Sequence, residues 1–506
     1  MYRYTQNTRP VGYEELIRRY SIHVLPHYVT SYVTESKGRR QTVIEGHRKK
    51  EFYPLPYHPG DELGDHLTFA LKHECLNLEI LSVIFQQTDP SEILEIVRNT
   101  PTGKYTRQIW FLYEFLSGKE LDLEPIKVAN YVDLLDEDLY VVAQKQPVSR
   151  QKVNNNLLGG RRFCPLIRKT DFLKKYMEID FQERTKQVIG RYPEDILRRA
   201  ISYLFTKETK SSFEIERTTP DQKRAARFVE LLKSAEETDF FTKDSLIKLQ
   251  QSTVDSRFAN ENFRQDQNDV GQSISFGREI VHFISPKPED LPELMEGMFK
   301  CHERMVASKV HPVIAATVIA FGFVFMHPFD DGNGRIHRFL IHNILATTKF
   351  TPEGLIFPVS ATLVRNIKEY DQTLELFSKP LLPLIEYQLT ELGEMTVTNE
   401  TALHYRYIDM TGIAENMFRF IETTIEKELV SELDLLSNYD TAKSCMQEII
   451  DMPDRMIDLF MRICRENGGR LSQNKRKLFA KLTDEEVARL EECIKNVFGL
   501  NSPPLE

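Results

Sequence analysis

The sequence predicts a mainly helical, all-α protein built in three parts. Three observations lead there. Apolar residues recur at helical spacing along most of the chain, whereas runs of period two are few and short. The 506 residues exceed the usual single domain several-fold and imply more than one core. The texture also changes near residue 205 and again near 391, which divides the chain into 1–204, 205–390 and 391–506.

Each part rests on local signals. The first 60 residues are rich in aromatic and basic side chains and break often at proline or glycine. A helix is expected from Leu63 to Phe85, and Ser91 is placed to cap another that carries Ile93, Leu94, Ile96 and Val97. Tyr140-Val141-Val142 is a weak strand candidate, and Asn154 to Arg162 reads as a polar loop. Thr219 before Pro220 marks a helix start, and Thr242 precedes another helix with Leu246, Ile247 and Leu249. Between Phe263 and Pro288 the helical pattern lapses, and the run Ile280 to Ile284, closed by Pro286 and Pro288, suits an extended hairpin. Helices resume at Glu289 and His311. Beyond Gly393 the chain is helical and charged, with a break at Gly468-Gly469 and a last helix capped by Thr483, while the tail from Asn501 to Pro504 looks loose.

Composition narrows the function. Hydrophobic residues make up 41% and charged residues 28%, which excludes a collagen-like or wholly disordered chain. Lys and Arg number 66 against 75 Asp and Glu, a net charge of −9, so bulk charge gives no support to nucleic-acid binding. The cysteines Cys75, Cys164, Cys301, Cys445, Cys464 and Cys493 form no C-x-x-C pair, so neither a zinc site nor a disulfide framework is indicated. Reduced thiols in a cytoplasmic protein are the expectation. Met1 to Gln6 lack the apolar core of a secretory signal. The longest apolar run, Val313 to Met326, falls short of the ~20 residues that span a bilayer and reads as a buried helix, with no membrane partner.

Chemistry concentrates in His327-Pro328-Phe329-Asp330-Asp331-Gly332-Asn333-Gly334-Arg335-Ile336-His337-Arg338, directly after that run. Glycine and asparagine favour a turn over Phe329 to Gly334, and Ile336, Phe339, Leu340, Asn343 and Ile344 then share one helix face. The result is a helix, a tight loop and a second helix whose N-terminus suits an anion. Arg335 and Arg338, three apart, project from one side of the first turn and fit a polyphosphate. Asp331 adds a hard oxygen ligand of the kind magnesium uses between phosphates. His327 stands at the loop entrance as a proton acceptor. Together these imply phosphoryl or nucleotidyl transfer.

The segment resembles the signature of the Fic family, H-P-F-x-[DE]-G-N-G-R-x-x-R, with every fixed position present. Nine specified positions, each met by chance in roughly one case in twenty, would coincide in about one such chain in 10⁹. The resemblance implies transfer of AMP from ATP to a hydroxyl side chain of a target protein, with release of pyrophosphate. By position, His327 would be the general base for a target Ser, Thr or Tyr. Asp331 would hold Mg²⁺, with Mn²⁺ as an alternative, between the α- and β-phosphates. Gly332, Asn333, Gly334 and Arg335 would form the anion cradle, and Arg338 would fix the γ-phosphate. A phosphorylating branch of the family carries a lysine near the second glycine of the loop, and Gly334 argues against it.

The likeness extends over roughly 205–390. Phe263-Arg264, Val270-Gly271 and Ile280 to Pro288 resemble the family's approach to its flap, which holds target peptides by strand pairing, and Ile280, Val281, His282 and Phe283 are the docking candidates. Many members also carry an inhibitory helix, [ST]-x-x-x-E-[GN], whose glutamate pairs with the second signature arginine. Ser212 and Glu216 fit that spacing on one helix face, although Arg217 replaces the Gly or Asn. Glu45 in Gln41 to Gly46 is a competing, distant candidate. Tyr370 and Asn366 are weighed as adenine-pocket residues against simple packing, His337 and His342 read as structural, and Trp110 is assigned to the N-terminal core. Self-modification and a homodimer are carried as options. Two other readings stay open: removal of AMP with Glu216 orienting a water, and a nucleotide sensor flanked by helical interaction domains.

Overall fold

Strands, not helices, open the chain. The computed structural model describes residues 8–35, 38–46, 48–236, 240–275, 278–390 and 393–500. The tail from Asn501 and the N-terminal Met1 to Gln6 lie outside the described residues. β1 (Thr8–Val11), β2 (Val29–Thr34), β3 (Gln41–Glu45) and β4 (Arg48–Pro54) form a sheet in the order β1-β2-β4-β3, with β2 and β4 parallel and the other pairs antiparallel. The period is visible in β2, where Val29, Ser31 and Val33 are buried and the residues between them are half-buried.

α1 (Tyr13–Tyr20) and four further helices pack on this sheet and on one another. The stretch expected as one helix from Leu63 is two, α2 (Leu63–His73) and α3 (Leu78–Gln87). Cys75 takes a left-handed conformation between them, with φ of 75°, and the Asn77 side chain accepts from the Ile80 amide to cap α3. α4 (Pro90–Asn99) is capped by Asp89 rather than Ser91, with Pro90 in the first turn. α5 (Lys104–Ser117) buries Trp110, whose indole N–H donates to Glu114. β5 (Val132–Asp133), β6 (Gln146–Val148) and β7 (Val153–Asn155) make a small sheet in the order β5-β7-β6. Tyr140 forms only an isolated bridge with Arg168 instead of a strand. One core runs through this region from Tyr13 to Leu166 and takes in Tyr407.

α6 (Asp171–Met177) and α7 (Phe181–Ile189) lead into the long α8 (Glu194–Ile215). The boundary expected at 204/205 therefore falls inside a single helix. α9 (Gln222–Lys233) is capped by Asp221, not Thr219, and α10 (Lys243–Thr253) by Thr242. The hairpin β8 (Asp269–Ser275) and β9 (Arg278–Ile284) follows, then α11 (Leu291–Ala307), α12 (Pro312–Met326), α13 (Asn333–Thr347), α14 (Val359–Arg365) and α15 (Ile367–Leu381). α12 is the apolar run and is buried on every side; each fully buried Val, Ile or Phe in it contributes about 1.5–3 kcal/mol. That anchors the loop at its C-terminus.

A second hairpin, β10 (Tyr387–Leu389) with β11 (Met395–Val397), and α16 (Ala402–Arg406) precede α17 (Thr411–Thr423). A π-helical stretch, Thr424–Leu429, joins α17 to α18 (Val430–Ile449). The central core extends from Val141 to Leu433, on both sides of the expected 390/391 boundary. A separate small core, from Ala442 to Ile494, unites the end of α18 with α19 (Asp454–Glu466) and α20 (Asp484–Phe498), the last opened by the expected Thr483 cap in a capping box with Glu486. Cys445 and Cys493 are joined by a disulfide there, against the expectation of reduced thiols, because α18 and α20 bring their Cα atoms within 6.5 Å. The other four cysteines are free. Among the described residues no helix is long and apolar enough to cross a membrane.

Candidate active site

The loop between α12 and α13 is held by its own side chains. His327 ends α12 in the left-handed conformation, φ 49° and ψ 57°, which turns the chain sharply out of the core. Its Nδ1 lies 3.0 Å from the Val324 carbonyl. A carbonyl only accepts, so Nδ1 carries the proton and Nε2 keeps a lone pair. Burial pushes the imidazole down to about 4, so the ring is neutral at pH 7.

Asn333 closes the loop with its side chain. Its side chain is 2% exposed, accepts from the Phe329 amide at 3.1 Å and donates to the Phe329 carbonyl at 2.7 Å. Both functions of the carboxamide are used to close the loop, so only its backbone N–H can face an anion. Gly332 caps α13 with φ of 91°, and a Cβ there would meet Val254 at 2.8 Å. The amides of Asn333, Gly334 and Arg335 are first-turn donors without intrahelical acceptors.

Asp331 lies at the rim. Its Oδ1 accepts from the Gly332 amide at 2.7 Å and from Arg335 at 2.8 Å. Among the described residues Oδ2 makes no hydrogen bond or ion pair, which leaves one hard oxygen for a divalent cation. Among the described residues there is also no group of three or more His, Cys, Asp or Glu able to hold a metal. A cation here would need phosphate oxygens or water to complete its shell.

The anion over the α13 N-terminus is supplied by the chain. Glu216 follows the last residue of α8, and its Oε1 lies 2.8 Å from Arg338 Nη2 while Oε2 lies 2.6 Å from Arg335 Nε. Arg338 also donates to the Ser212 hydroxyl at 2.9 Å and the Ser212 carbonyl at 2.7 Å. Both arginines are 2% exposed. A Cβ on Gly334 would sit 2.5 Å from Glu216 Oε1, so the glycine gives the carboxylate its place against the helix end. Ser212, Glu216 and both arginines are thus brought together. The pairing with Arg335 as well as Arg338 exceeds the expectation.

Arg217 explains how the glutamate is presented. It adopts φ of 53°, the Thr218 amide reaches the Phe213 carbonyl at 3.1 Å, and its own amide reaches the Glu214 carbonyl at 2.8 Å. These are the bonds of a Schellman motif, whose left-handed position favours Gly or Asn. Glu45 lies instead on the exposed β3, paired with Lys50, remote in kind from any helix end.

The hairpin splits the docking candidates. Ile280 is 46% exposed and His282 is exposed, whereas Val281 and Phe283, at 8% each, point into the core. Strand alternation therefore removes Val281 and Phe283 from the outer face. His337 donates from Nδ1 to the Ala320 carbonyl at 2.8 Å and His342 pairs with Glu208 at 2.7 Å, and both side chains are buried. Tyr370 is buried against His337, and the Asn366 side chain bonds to the Thr362 carbonyl.

Sequence reasoning missed the floor of the site. Gln250, fully buried on α10, donates to the Asp331 carbonyl at 3.2 Å and to Asn260 at 2.9 Å, and Arg335 donates to the Thr253 carbonyl at 3.0 Å. The contacts to Asp331 and Thr253 run through backbone carbonyls 81 and 82 residues away in the chain and leave no spacing signal.

Residues 240–345 match the model of the Fic/DOC family. That stretch, from the end of the loop before α10 to α13, carries a Fic domain. A stretch of 69 residues is 36% identical to the protein adenylyltransferase Fic of Drosophila sechellia, covering 14% of this chain and 14% of that relative. A stretch of 73 residues is 35% identical to the protein adenylyltransferase Fic of Nematostella vectensis, covering 14% of this chain and 17% of the relative. The chain thus matches well under two thirds of these relatives' length. It is also similar to the crystal structure of a Fic family protein from Desulfovibrio desulfuricans G20, with 17% identity and a TM-score of 0.37 over 66% of this chain and 86% of that one.

Proposed function

We propose that the Fic domain transfers AMP from ATP to a Ser, Thr or Tyr hydroxyl of a target protein, and that Glu216 holds this activity down. The single observation that carries both halves is the Glu216 carboxylate set between Arg335 and Arg338 over the first turn of α13. Two buried guanidiniums at a helix N-terminus are a polyphosphate site. A carboxylate lodged there competes with the terminal phosphates.

In this reading the target hydroxyl oxygen forms a bond to the α-phosphorus, and the bond from that phosphorus to the pyrophosphate oxygen breaks. The hydroxyl proton passes to His327 Nε2, the ring nitrogen left basic by the Val324 contact. Arg335, Arg338 and the first amides of α13 bind the phosphates and hold the departing pyrophosphate in line. Asp331 Oδ2 fits Mg²⁺ or Mn²⁺, which when bound neutralises phosphate charge. The β8–β9 hairpin offers a strand edge, with Ile280 and His282 outward, to an extended target segment.

Purified wild-type, Glu216→Gly, His327→Ala and Glu216→Gly/His327→Ala proteins with α-³²P-ATP and Mg²⁺ test this, with label followed on a cell extract and on the protein itself. Label on protein should rise in Glu216→Gly and fall at least ~10²-fold in Glu216→Gly/His327→Ala. No labelling by folded Glu216→Gly overturns the transfer reading, and equal labelling by wild type overturns inhibition. Release of free AMP from a modified target would favour AMP removal instead.

A further inference from the structure

The geometry points to Arg264 as a positioning residue that ties the backbone of His327 to both ends of the β8–β9 hairpin. Arg264 is 2% exposed, and among the described residues its side-chain hydrogen bonds all go to main-chain oxygens. Nε donates to the His327 carbonyl at 2.8 Å, Nη1 to the Asp266 carbonyl at 2.7 Å, and Nη2 to the Pro286 carbonyl at 2.5 Å. Its own amide donates to the Pro328 carbonyl at 2.9 Å. Asp266 precedes β8 and Pro286 follows β9, so one rigid guanidinium spans the hairpin's two feet and the His327 carbonyl, while the Arg264 main chain holds Pro328.

A buried arginine usually answers a carboxylate, yet among the described residues Arg264 forms no ion pair, and burial lowers it to about 10. Holding a cation there has to be offset by charge-assisted bonds to carbonyls, and the bonds chosen fix one torsion in particular. His327 is a non-glycine residue in the left-handed region, a conformation that persists only when its surroundings impose it. Arg264 grips the carbonyl that moves with ψ of His327, while Val324 grips the ring. Together they aim Nε2. Because the same guanidinium grips the hairpin's feet, an extended segment pairing with the hairpin sets the aim of the base. Lysine has a single point of donation and cannot span the three carbonyls in the same way.

The inference rests on His327 as base and the hairpin as docking edge, and its test separates the two. Full-length Glu216→Gly protein and its Arg264→Gln and Arg264→Lys derivatives are compared after labelling histidine with ¹⁵N. Arg264→Gln should lose the Nδ1–H tautomer signal of His327 or mix it with the other. Its kcat for target labelling should fall about 10²-fold while nucleotide affinity holds. Arg264→Lys should recover part of both. An unchanged His327 signal and kcat in folded Arg264→Gln overturns the assignment, as does a loss of kcat that merely follows the folded fraction. Should the Glu216→Gly parent transfer no AMP, the functional reading fails, and the histidine signal alone still decides whether Arg264 positions the ring.

Discussion

Replacing Glu216 with glycine removes one carboxylate from between two arginines that are each 2% exposed. Breaking a buried charge pair by deleting one partner costs about 3–5 kcal/mol, because the other charge stays behind. Glu216 keeps 23% of its own side chain exposed, so the lower figure, about 3 kcal/mol, is the better guide. The affected core runs from Val141 to Leu433. At about 2.1 cal/mol/K per residue, that loss corresponds to a fall in Tm of roughly 5 °C without nucleotide. ATP with Mg²⁺ should reverse it. A ligand at a hundred times its Kd returns about 2.7 kcal/mol, and in the variant both arginines are open to it. In the wild type the glutamate must first be displaced, so the nucleotide shift should be much smaller. Thermal unfolding followed by circular dichroism, with and without nucleotide, reads both shifts. Equal Tm without nucleotide, or equal nucleotide shifts in the two proteins, would refute the idea that Glu216 stands where phosphate binds.

Three further outcomes follow from named groups. Arg217→Gly should stabilise the protein by about 0.5–1 kcal/mol, since glycine removes the left-handed penalty at φ 53° and gives back only part of it in chain entropy; denaturant unfolding would show a higher midpoint, and a lower one would mean the arginine side chain matters more. In Glu216→Gly the transfer rate should stay level from pH 8 to pH 6 and drop as pH approaches 4, because on the proposed mechanism neutral His327 takes the proton, and burial lowers its pKa to about 4; a midpoint near 6.5 would show an unperturbed histidine. Glu74, fully buried beneath Gly12, has its carboxyl pushed up by burial to about 8 from an ordinary 4.5. The folded state therefore holds its proton, and stability present below pH 4.5 is lost as pH rises through 8, by several kcal/mol, on the order of 5. Glu74→Gln should flatten that decline in urea unfolding between pH 5 and 8, whereas an unchanged slope would place the cause elsewhere.

How much the sequence revealed tracks how local each feature is. The signature loop was legible because its whole geometry lies within twelve consecutive residues, His327 to Arg338, after a buried apolar helix. Glu216 was legible through its spacing from Ser212, but its grip on Arg335 was not, since nothing in the spacing says which guanidinium the carboxylate meets. The bonds of the Asn333 side chain to Phe329 were not legible, since spacing alone does not say where a carboxamide points. The N-terminal sheet was hidden for another reason: β2 and β4 pair in parallel across an intervening strand, and β4, Arg48–Pro54, carries three consecutive basic residues in place of clean alternation. Arg264 and Gln250 act on carbonyls 63 and 81 residues away, contacts that no periodicity encodes.

The order of elements along α8 and α13 has a consequence for a growing chain. Synthesis runs from the N-terminus, and domains complete themselves roughly in that order. Glu216 leaves the ribosome more than a hundred residues before Arg335 and Arg338, which lie 122 positions on in the case of Arg338. When the arginines emerge and α13 docks, α8 and its carboxylate are already there to meet them. If the proposal holds, the nucleotide pocket is then assembled around its own stopper. On the reading proposed above, a newly made molecule is shut at birth, and opening it is a later decision taken on a finished protein.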